Sequence, residues 1–121
     1  MNDLSLVTLQ KMLDAASLRH RVIANNVANA NTPGYQRSEV SFGEQLAKAA
    51  STGDLAALRT ARPTVVRSDA PALRSDGNNV SLERELADLM KNTLLYNTCT
   101  HLLSLRLASY KAAISGDSRA G

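Results

Sequence analysis

The chain has 121 residues, enough for one domain, and its 44% apolar and 21% charged content suits a soluble, at least partly folded protein. Aromatic residues make up only 3% of it, so aliphatic side chains and alanine must form most of the core. The net charge of +3 is spread among interleaved acids, which argues against a clustered nucleic-acid-binding stripe, and a single cysteine excludes an intramolecular disulfide. We expect no cleavable signal peptide, because the start MNDL has no basic n-region. We also expect no transmembrane span, because no apolar run approaches the roughly 20 residues that a span needs.

The N-terminal segment predicts an amphipathic helix from about Leu4 to Asn29, with Asp3 as a candidate N-cap. Apolar and small residues recur at alternating steps of three and four, which is the spacing of one packed helix face. The helix must end before Pro33, because proline disfavours the helical conformation in the residue before it. The predicted packing seam consists of Leu6, Leu9, Leu13, Ala16, His20, Ile23, Val27 and Ala30.

A run of asparagines ends this helix and leads into a proline-glycine turn, since residues 24–35 read ANNVANANTPGY. The last four residues, TPGY, fit a type II turn, in which proline presets the first central dihedral and glycine supplies the positive φ of the second. Asn25 and Asn29 are four residues apart and face the same way, so their amides can bond the nearby backbone or a second chain. Asn31 can cap the turn. Four asparagines are more than capping alone requires.

The middle of the chain is predicted to contain one short helix followed by a long flexible loop. The residues SFGE from Ser41 have the spacing of a capping box, and Phe42, Leu46 and Ala49 share a helix face. Residues 51–79 contain prolines, glycines and arginines but too few regularly spaced apolar residues to define a packed face. We therefore expect this segment to be irregular, and disordered in isolation.

The C-terminal third predicts the longest helix, because apolar residues keep helical spacing through more than four heptads. Ser81 is a candidate N-cap, acidic residues crowd the first turn and basic residues lie near the end, as the helix dipole favours. The tail from Ser115 to Gly121 is expected to fray. The predicted seam consists of Leu82, Leu86, Leu89, Thr93, Tyr96, Thr100, Leu103, Leu107, Tyr110 and Ile114.

Together these elements predict an all-α fold, an antiparallel two-helix hairpin or coiled coil with a long irregular middle segment. Its parts are a helix and turn over residues 1–35, a short helix and flexible loop over 36–79, and a long helix with a frayed tail over 80–121, all in one structural domain. Small or polar residues occupy several seam positions where a self-sufficient coiled coil carries Leu or Ile. We therefore expect a marginally stable monomer that completes its core with other chains.

No constellation of residues indicates catalysis, a metal or a cofactor. Cys99 and His101 are two residues apart, about 200° around a helix, so they cannot form a nucleophile-base pair within one chain. His20 lies on the predicted seam, where an interface histidine is favoured over a ligand. Two histidines and one cysteine fall short of the four ligands of a zinc site. We therefore expect a protein without enzymatic activity or a cofactor.

The arginines of the middle segment offer weak support for nucleic-acid binding, because no aromatic residues are interleaved for base stacking. A solvated loop, or a loop that orders against acidic neighbours in an assembly, is the favoured interpretation. These arginines are Arg59, Arg62, Arg67 and Arg74.

Two motifs carry a resemblance to a known family. The run from Asn25 to Tyr35 closely resembles the N-terminal signature of the axial proteins of the bacterial flagellum, which form its rod, hook and hook-filament junction. A second motif opens the long helix and is followed by Glu83, Glu85, Asn92 and Tyr96; it is similar to the small proximal-rod members of the basal-body rod family. Those members usually carry an acid at position 81, where Ser81 can still cap the helix.

The signature residues that the resemblance assigns to the turn and to contacts between subunits are Asn25, Asn26, Val27, Asn29, Asn31, Thr32, Pro33, Gly34 and Tyr35. Those that it assigns to the entry of the C-terminal helix are Asp76, Gly77, Asn78, Asn79 and Val80.

The resemblance implies a structural subunit of the flagellar basal-body rod, in its proximal part within the periplasmic space. Such subunits leave the cytoplasm unfolded through the flagellar type III export apparatus and fold by packing their helices on neighbours, contributing to flagellum-dependent motility. The implied partners are other rod and basal-body proteins, neighbouring copies of the chain and the export apparatus, with no nucleic acid and no membrane span. The alternative is a soluble helical-hairpin adaptor or a basic nucleic-acid-binding protein, which predicts a folded oligomer in isolation or salt-sensitive nucleic-acid affinity.

Overall fold

The structure, a computed structural model, describes residues 3–120 and the side chains of residues 4–116. Two long helices dominate it, α1 with 26 residues and α4 with 39. Their bounds lie within a few residues of the predicted ones at three of the four ends. The elements in chain order are α1 (Asp3–Ala28), β1 (Ser38–Ser41), α2 (Gly43–Thr52), α3 (Leu55–Thr60), β2 (Thr64–Arg67) and α4 (Leu82–Ala120).

The two long helices pack against each other in antiparallel orientation, which confirms the predicted hairpin. Near the end of α1, Asn26 bonds to Glu85 in the first turn of α4. Half-way along, the side chain of Asn92 donates to the carbonyl oxygen of Ala16 at 2.8 Å. Further still, Arg106 lines the same surface pocket as residues of the first turns of α1. The last part of α4 therefore extends beyond the start of α1, by roughly 20 Å at 1.5 Å per residue.

The fold is mostly helical, as predicted, but it is not all-α, because the middle segment contains a small two-stranded sheet. Strands β1 and β2 pair in antiparallel orientation, with Ser38 opposite Arg67 and Ser41 opposite Thr64. The segment predicted to be irregular also contains α3, which is capped by Asp54 through a 3.0 Å hydrogen bond from the backbone nitrogen of Ala57. The pairing satisfies backbone N–H and C=O groups of both strands. Strand β2 is exposed along its whole length, so these hydrogen bonds, rather than burial in a core, hold it in place.

Three predicted helix ends differ from the structure or lie outside it. Helix α2 begins after Phe42, whose side chain makes no capping hydrogen bond, so the capping box predicted from Ser41 is wrong. Phe42 packs in the core instead. Helix α4 continues to Ala120 where fraying was predicted, whereas Gly121 and the side chain of Asp3 lie outside the described part of the chain.

Other helix-end predictions hold. Ser81 caps α4 by accepting a 3.3 Å hydrogen bond from the backbone nitrogen of Arg84. The shared face of the short helix is also present, since Phe42 and Ala49 are buried and Leu46 is half-buried.

The apolar core includes two small clusters between α1 and the middle segment. One joins Val7 of α1 to Ala49 and Leu58, and the other joins Ala15 of α1 to Phe42 and Ala61. Helix α1 therefore packs on two sides, against α4 and against the middle segment. None of the described helices contains a stretch that is long and apolar enough to cross a bilayer.

The face of α4 that contacts α1 differs from the predicted seam. Its most buried residues are Glu85, Asn92 and Cys99, which follow one another at intervals of seven. The most apolar face is rotated from this one by roughly a fifth of a turn. Because these interface residues of α4 are polar or small, the spacing of apolar residues could not predict them.

The predicted seam residues are accordingly divided. On α4, Leu82, Leu86, Thr93, Tyr96, Thr100, Leu107 and Ile114 are exposed, whereas Leu89, Leu103 and Tyr110 are half-buried. On α1, Leu9, Ala16, Ile23 and Ala30 are buried, Leu6, Leu13 and Val27 are half-buried, and His20 is exposed.

Candidate functional site

The asparagine motif and the helix-entry motif meet in space where α1 ends and α4 begins. Two backbone hydrogen bonds join them, from the nitrogen of Gly34 to the oxygen of Asp76 at 2.8 Å and from the nitrogen of Asn79 to the oxygen of Tyr35 at 3.3 Å. We call the surrounding group of side chains the polar junction. Its members are Asn26, Tyr35, Arg37, Asn78, Asn79 and Glu85.

The turn expected at TPGY is present and supports the junction from outside. It is closed by a 3.2 Å hydrogen bond from the nitrogen of Tyr35 to the oxygen of Thr32, and Gly34 has a φ of 71°. Gly77 has a φ of 88°, and a Cβ atom placed on it would lie 3.5 Å from the Cα of Gly34. The two motifs therefore touch through two glycines that both adopt the left-handed conformation, which a side chain makes unfavourable.

Asn78 closes the C-terminal end of α1. Its side chain is fully buried, and its amide nitrogen lies 3.0, 3.1 and 2.8 Å from the carbonyl oxygens of Asn29, Ala30 and Thr32. Its amide oxygen accepts a 2.8 Å hydrogen bond from the backbone nitrogen of Val80. The carbonyls of Asn29 and Thr32 also accept backbone hydrogen bonds within the turn, so the amide of Asn78 adds a second partner to these two and ties the turn after α1 to the residues before α4.

Asn26 links α1 to β1. Its side chain is fully buried and bonds both backbone groups of Ser38, donating to the oxygen and accepting from the nitrogen, each at 2.9 Å. It also donates to Glu85 at 3.2 Å and accepts from the hydroxyl of Tyr35 at 3.1 Å. All four hydrogen-bonding positions of this amide are thus occupied, which fixes the side chain in one orientation.

A buried ion pair completes the junction. The Nε atom of Arg37 lies 2.6 Å from Glu85 Oε1, and the side chains are 7% and 0% exposed. Burial by itself lowers the pKa of Arg37, but the hydrogen bond and charge of Glu85, reinforced by Glu39, outweigh it and raise the pKa above its ordinary value. Arg37 therefore stays charged, and the carboxylate of Glu85 is held between α1, the strand and α4.

Asn79 connects this pair to the middle segment. Its amide oxygen accepts a 2.6 Å hydrogen bond from the backbone nitrogen of Arg37, and its nitrogen donates to Gln36 and to the carbonyl of Ala70 at 3.0 and 3.1 Å. Removing Asn79 would release the loop before α4 as well as the turn after α1.

The remaining signature residues lie at or near the surface. Asn29 donates to the backbone oxygen of Asn25 at 2.9 Å and accepts from the hydroxyl of Thr32 at 3.1 Å. Asn31 and Pro33 are exposed, as are Asn25 and Thr32, whereas Val27 and Asn29 are half-buried. The signature therefore has an inner part that holds the junction and an outer part that is exposed on the surface of the chain.

Sequence reasoning did not single out Arg37 and Ser38. Arg37 follows the turn and Glu85 lies at the start of α4, so the sequence alone gives no sign that the two side chains form an ion pair. Asn92 was noted only through the resemblance; its buried Oδ1 atom has no hydrogen-bond partner among the described residues.

The groups that chemistry would require do not converge. Cys99 is buried, and burial raises the pKa of its thiol, whereas His101 is exposed. Among the residues that the structure describes, no three His, Cys, Asp or Glu side chains lie together as a metal ion would need. The geometry of the junction is that of a structural joint between two helices.

Comparison with known proteins identifies the class to which this joint belongs. A family model described as "Flagella basal body rod protein" matches residues 8–36, which cover most of α1 and the turn. A flagellar protein of Cereibacter sphaeroides is 32% identical to the chain over 111 residues, 82% of this chain and 84% of the relative. The chain therefore belongs to the flagellar basal body rod protein family, whose members are structural proteins of the flagellar basal body rather than enzymes.

Three relatives to which the chain is similar share one name. The Cereibacter sphaeroides protein is a flagellar basal body rod protein FlgB, and so is a Borrelia hermsii protein that is 28% identical over 93% of this chain and 96% of its own length. The FlgB of Bacillus subtilis strain 168 is 27% identical over 93% of this chain and 94% of its own length. The similarity thus extends over nearly the whole chain, including both long helices.

Proposed function

We propose that the chain is a structural subunit of the proximal rod, exported through the flagellar type III apparatus and assembled by packing its helices on neighbouring axial subunits. In this proposal it resides in the periplasmic part of the basal body and contributes to flagellum-dependent motility. Its partners are other rod and basal-body proteins, neighbouring copies and, in transit, the export apparatus.

The observation that carries the proposal is an uncovered apolar row on α4. Leu82, Leu86, Met90 and Leu94 follow one another at intervals of four, so they lie along one side of the helix. They are 48%, 52%, 74% and 69% exposed. Covering the exposed part of each side chain would stabilise an assembly by about 1–2 kcal/mol, because burying a whole Leu or Met side chain contributes about 1.5–3 kcal/mol. A row of this length on a single chain indicates an interaction surface.

The polar junction fixes the position of α4 on α1, and so the side of the chain on which this row lies. Helix α4 can rotate or slide along α1 only by breaking the buried contacts of Glu85 and Asn92. An isolated apolar interface would tolerate such shifts more readily, whereas buried polar pairs specify one register. Each subunit would thus present the same α4 surface to the next, as a regular assembly requires.

Assembly is tested by following the helix content of the purified chain before and after other proximal-rod proteins are added. We expect low helicity by circular dichroism in the chain alone and a rise on mixing, with rapid thiol labelling of Cys99 before mixing and protection afterwards. A stable cooperative melt of the chain alone, with no change on mixing, would contradict folding on assembly. Salt-sensitive binding to duplex DNA would favour the nucleic-acid-binding alternative.

Export is tested separately by fractionation. In cells with a working flagellar export apparatus we expect the chain in basal bodies, and in cells without its export ATPase we expect it to remain in the cytoplasm. A protein secreted by a cleaved signal peptide serves as the control, because its location should be unaffected. Appearance of the chain outside the cytoplasm in both strains would contradict export by this route.

A further inference from the structure

A basic pocket lies beside α1, outside the polar junction and apart from the apolar row of α4. It has a volume of about 570 Å³ and opens between α1 and the residues that join α3 to β2. Three of its lining side chains, Lys11, Arg59 and Arg62, are cationic, and one, Asp14, is acidic. The pocket therefore carries an excess of positive charge that neither the junction nor the apolar row explains.

Lys11 is the most unusual of these residues because it is a buried cation that forms no ion pair with any carboxylate among the described residues. It is 9% exposed, and its ammonium group donates to the carbonyl oxygen of Ala61 at 3.0 Å. The ion pairs formed among the described residues are made by Arg37 and Arg74, and none includes Lys11. An ammonium has three donors, and burying its charge is costly unless an opposite charge is near. The carbonyl of Ala61, at the C-terminal end of α3, offsets only part of this cost.

We propose that this pocket receives the carboxylate of an Asp or Glu side chain from a neighbouring subunit of the rod. The carboxylate pairs with Lys11 at the base, while Arg59 and Arg62 at the exposed rim provide further charge-assisted hydrogen bonds. The proposal rests on the proposed function, since it requires that the chain have neighbours in an assembly.

The lining favours a carboxylate side chain over a free phosphate. Asp14 contributes a negative charge to the pocket, which disfavours a dianion more than a single carboxylate. Leu6, Val7 and Pro63 provide an apolar wall against which the methylene groups of a side chain can pack. A phosphate ion has no apolar part to use this wall.

Carbodiimide crosslinking of purified basal bodies tests the contact directly, because the reagent joins only amines and carboxylates that already touch. Mass spectrometry is expected to recover the peptide containing Lys11 joined to an acidic peptide of another subunit. Exposed lysines such as Lys48 serve as the control for the reaction. Recovery of an unmodified Lys11 peptide from basal bodies in which other crosslinks form would overturn the proposal. So would binding of inorganic phosphate by the isolated chain in the absence of that crosslink, which would assign the pocket to a free anion.

Matched variants separate the contact from folding. Arg59→Glu is expected to lower incorporation into basal bodies about five-fold or more, whereas Arg67→Glu, the same charge change on an exposed strand residue outside the pocket, is expected to leave it unchanged. Lys11→Met keeps the length of the side chain and is expected to reduce incorporation. It should leave the urea midpoint of the isolated chain unchanged when a stabilising osmolyte keeps that chain folded. Equal incorporation of the two Arg→Glu variants would overturn the proposal, whereas absence of the wild-type chain from basal bodies would instead contradict the proposed function.

Discussion

Asn26 and Glu85, 59 positions apart in the chain, form a buried hydrogen bond of 3.2 Å between the end of α1 and the start of α4. Both side chains are 0% exposed, and the second carboxylate oxygen of Glu85 pairs with Arg37 at 2.6 Å. One carboxylate thus joins both long helices to the segment after the turn. Because its partners come from three parts of the chain, it is satisfied in a single register of the hairpin.

Replacing Glu85 tests the energetic weight of this carboxylate. Glu85→Gln keeps the shape but removes the charge, which leaves Arg37 buried without its main partner, so we expect a loss of about 2–4 kcal/mol in the free energy of unfolding. Glu83→Gln, an exposed neighbour, should change it by less than about 0.5 kcal/mol. Urea unfolding followed by circular dichroism measures both, with a stabilising osmolyte at a fixed concentration that keeps the isolated chain folded. The same osmolyte is present in every urea experiment described below. Equal stability of the two variants would contradict the role assigned to the pair.

Asn78→Asp tests the closure of α1. The change preserves the shape of the side chain but replaces its donors with a carboxylate oxygen facing three carbonyl oxygens, so we expect a destabilisation of about 3 kcal/mol. Limited proteolysis should show faster cleavage near the turn after α1. Asn31→Asp, the same change at an exposed position, is the control and should leave the cleavage rate unaltered. A wild-type cleavage pattern in Asn78→Asp would show that the amide is dispensable.

Glycine substitutions test the two left-handed positions. No atom lies within 4 Å of a Cβ placed on Gly34, so Gly34→Ala should cost about 1 kcal/mol through backbone conformation alone. Gly77→Ala should cost about as much, because its φ of 88° carries the same strain, whereas the Cβ would make only ordinary van der Waals contact with the Cα of Gly34 at 3.5 Å. Gly43→Ala, at the start of α2 with ordinary φ and open space, should be neutral or stabilise by up to about 1 kcal/mol. The urea midpoints of the three variants measure these costs. A midpoint of Gly34→Ala at or above that of Gly43→Ala would show that a side chain at Gly34 causes no backbone strain.

Cys99 makes stability depend on alkaline pH. Because burial raises the pKa of its thiol, the folded chain holds this proton to higher pH than the unfolded chain does. Its contribution is fully present below the ordinary thiol pKa of about 8.5 and is lost as pH rises through the folded value. The difference in unfolding free energy between the wild type and Cys99→Ala should therefore shrink between neutral and strongly alkaline pH. A difference that stays constant over this range would mean that the thiol is not buried.

The long helices and the turn could be predicted from the sequence, because the patterns that indicate them involve neighbouring residues and are repeated along the chain. Helical spacing, Ser81 as a cap and a glycine at the left-handed position of TPGY are properties of neighbouring residues. Asp54, the cap of α3, is also a local signal, but it lies in a segment whose prolines and glycines indicate a loop. Almost no local pattern indicates the small sheet, since its strands have only four residues each and β2 is exposed throughout.

The packing of α4 could not be predicted from apolar spacing. Its contact with α1 uses Glu85, Asn92 and Cys99, whereas its most apolar face is left uncovered in the single chain. Apolar periodicity identifies which face of a helix is apolar, but it does not say whether the same chain or another one covers that face. The polar junction posed a similar difficulty, because the pairing of Arg37 with Glu85 depends on a fold that brings positions 48 apart together.

The central claim, that the uncovered row of α4 packs against neighbouring axial subunits, is tested most directly by incorporation of a row variant into basal bodies. The double variant Leu86→Gln, Met90→Gln changes two residues that are 52% and 74% exposed, so the isolated chain should keep its urea midpoint. Immunoblots of purified basal bodies should show the wild type and the control Lys91→Gln, but little of the double variant. Incorporation of the double variant at the wild-type level would contradict the account.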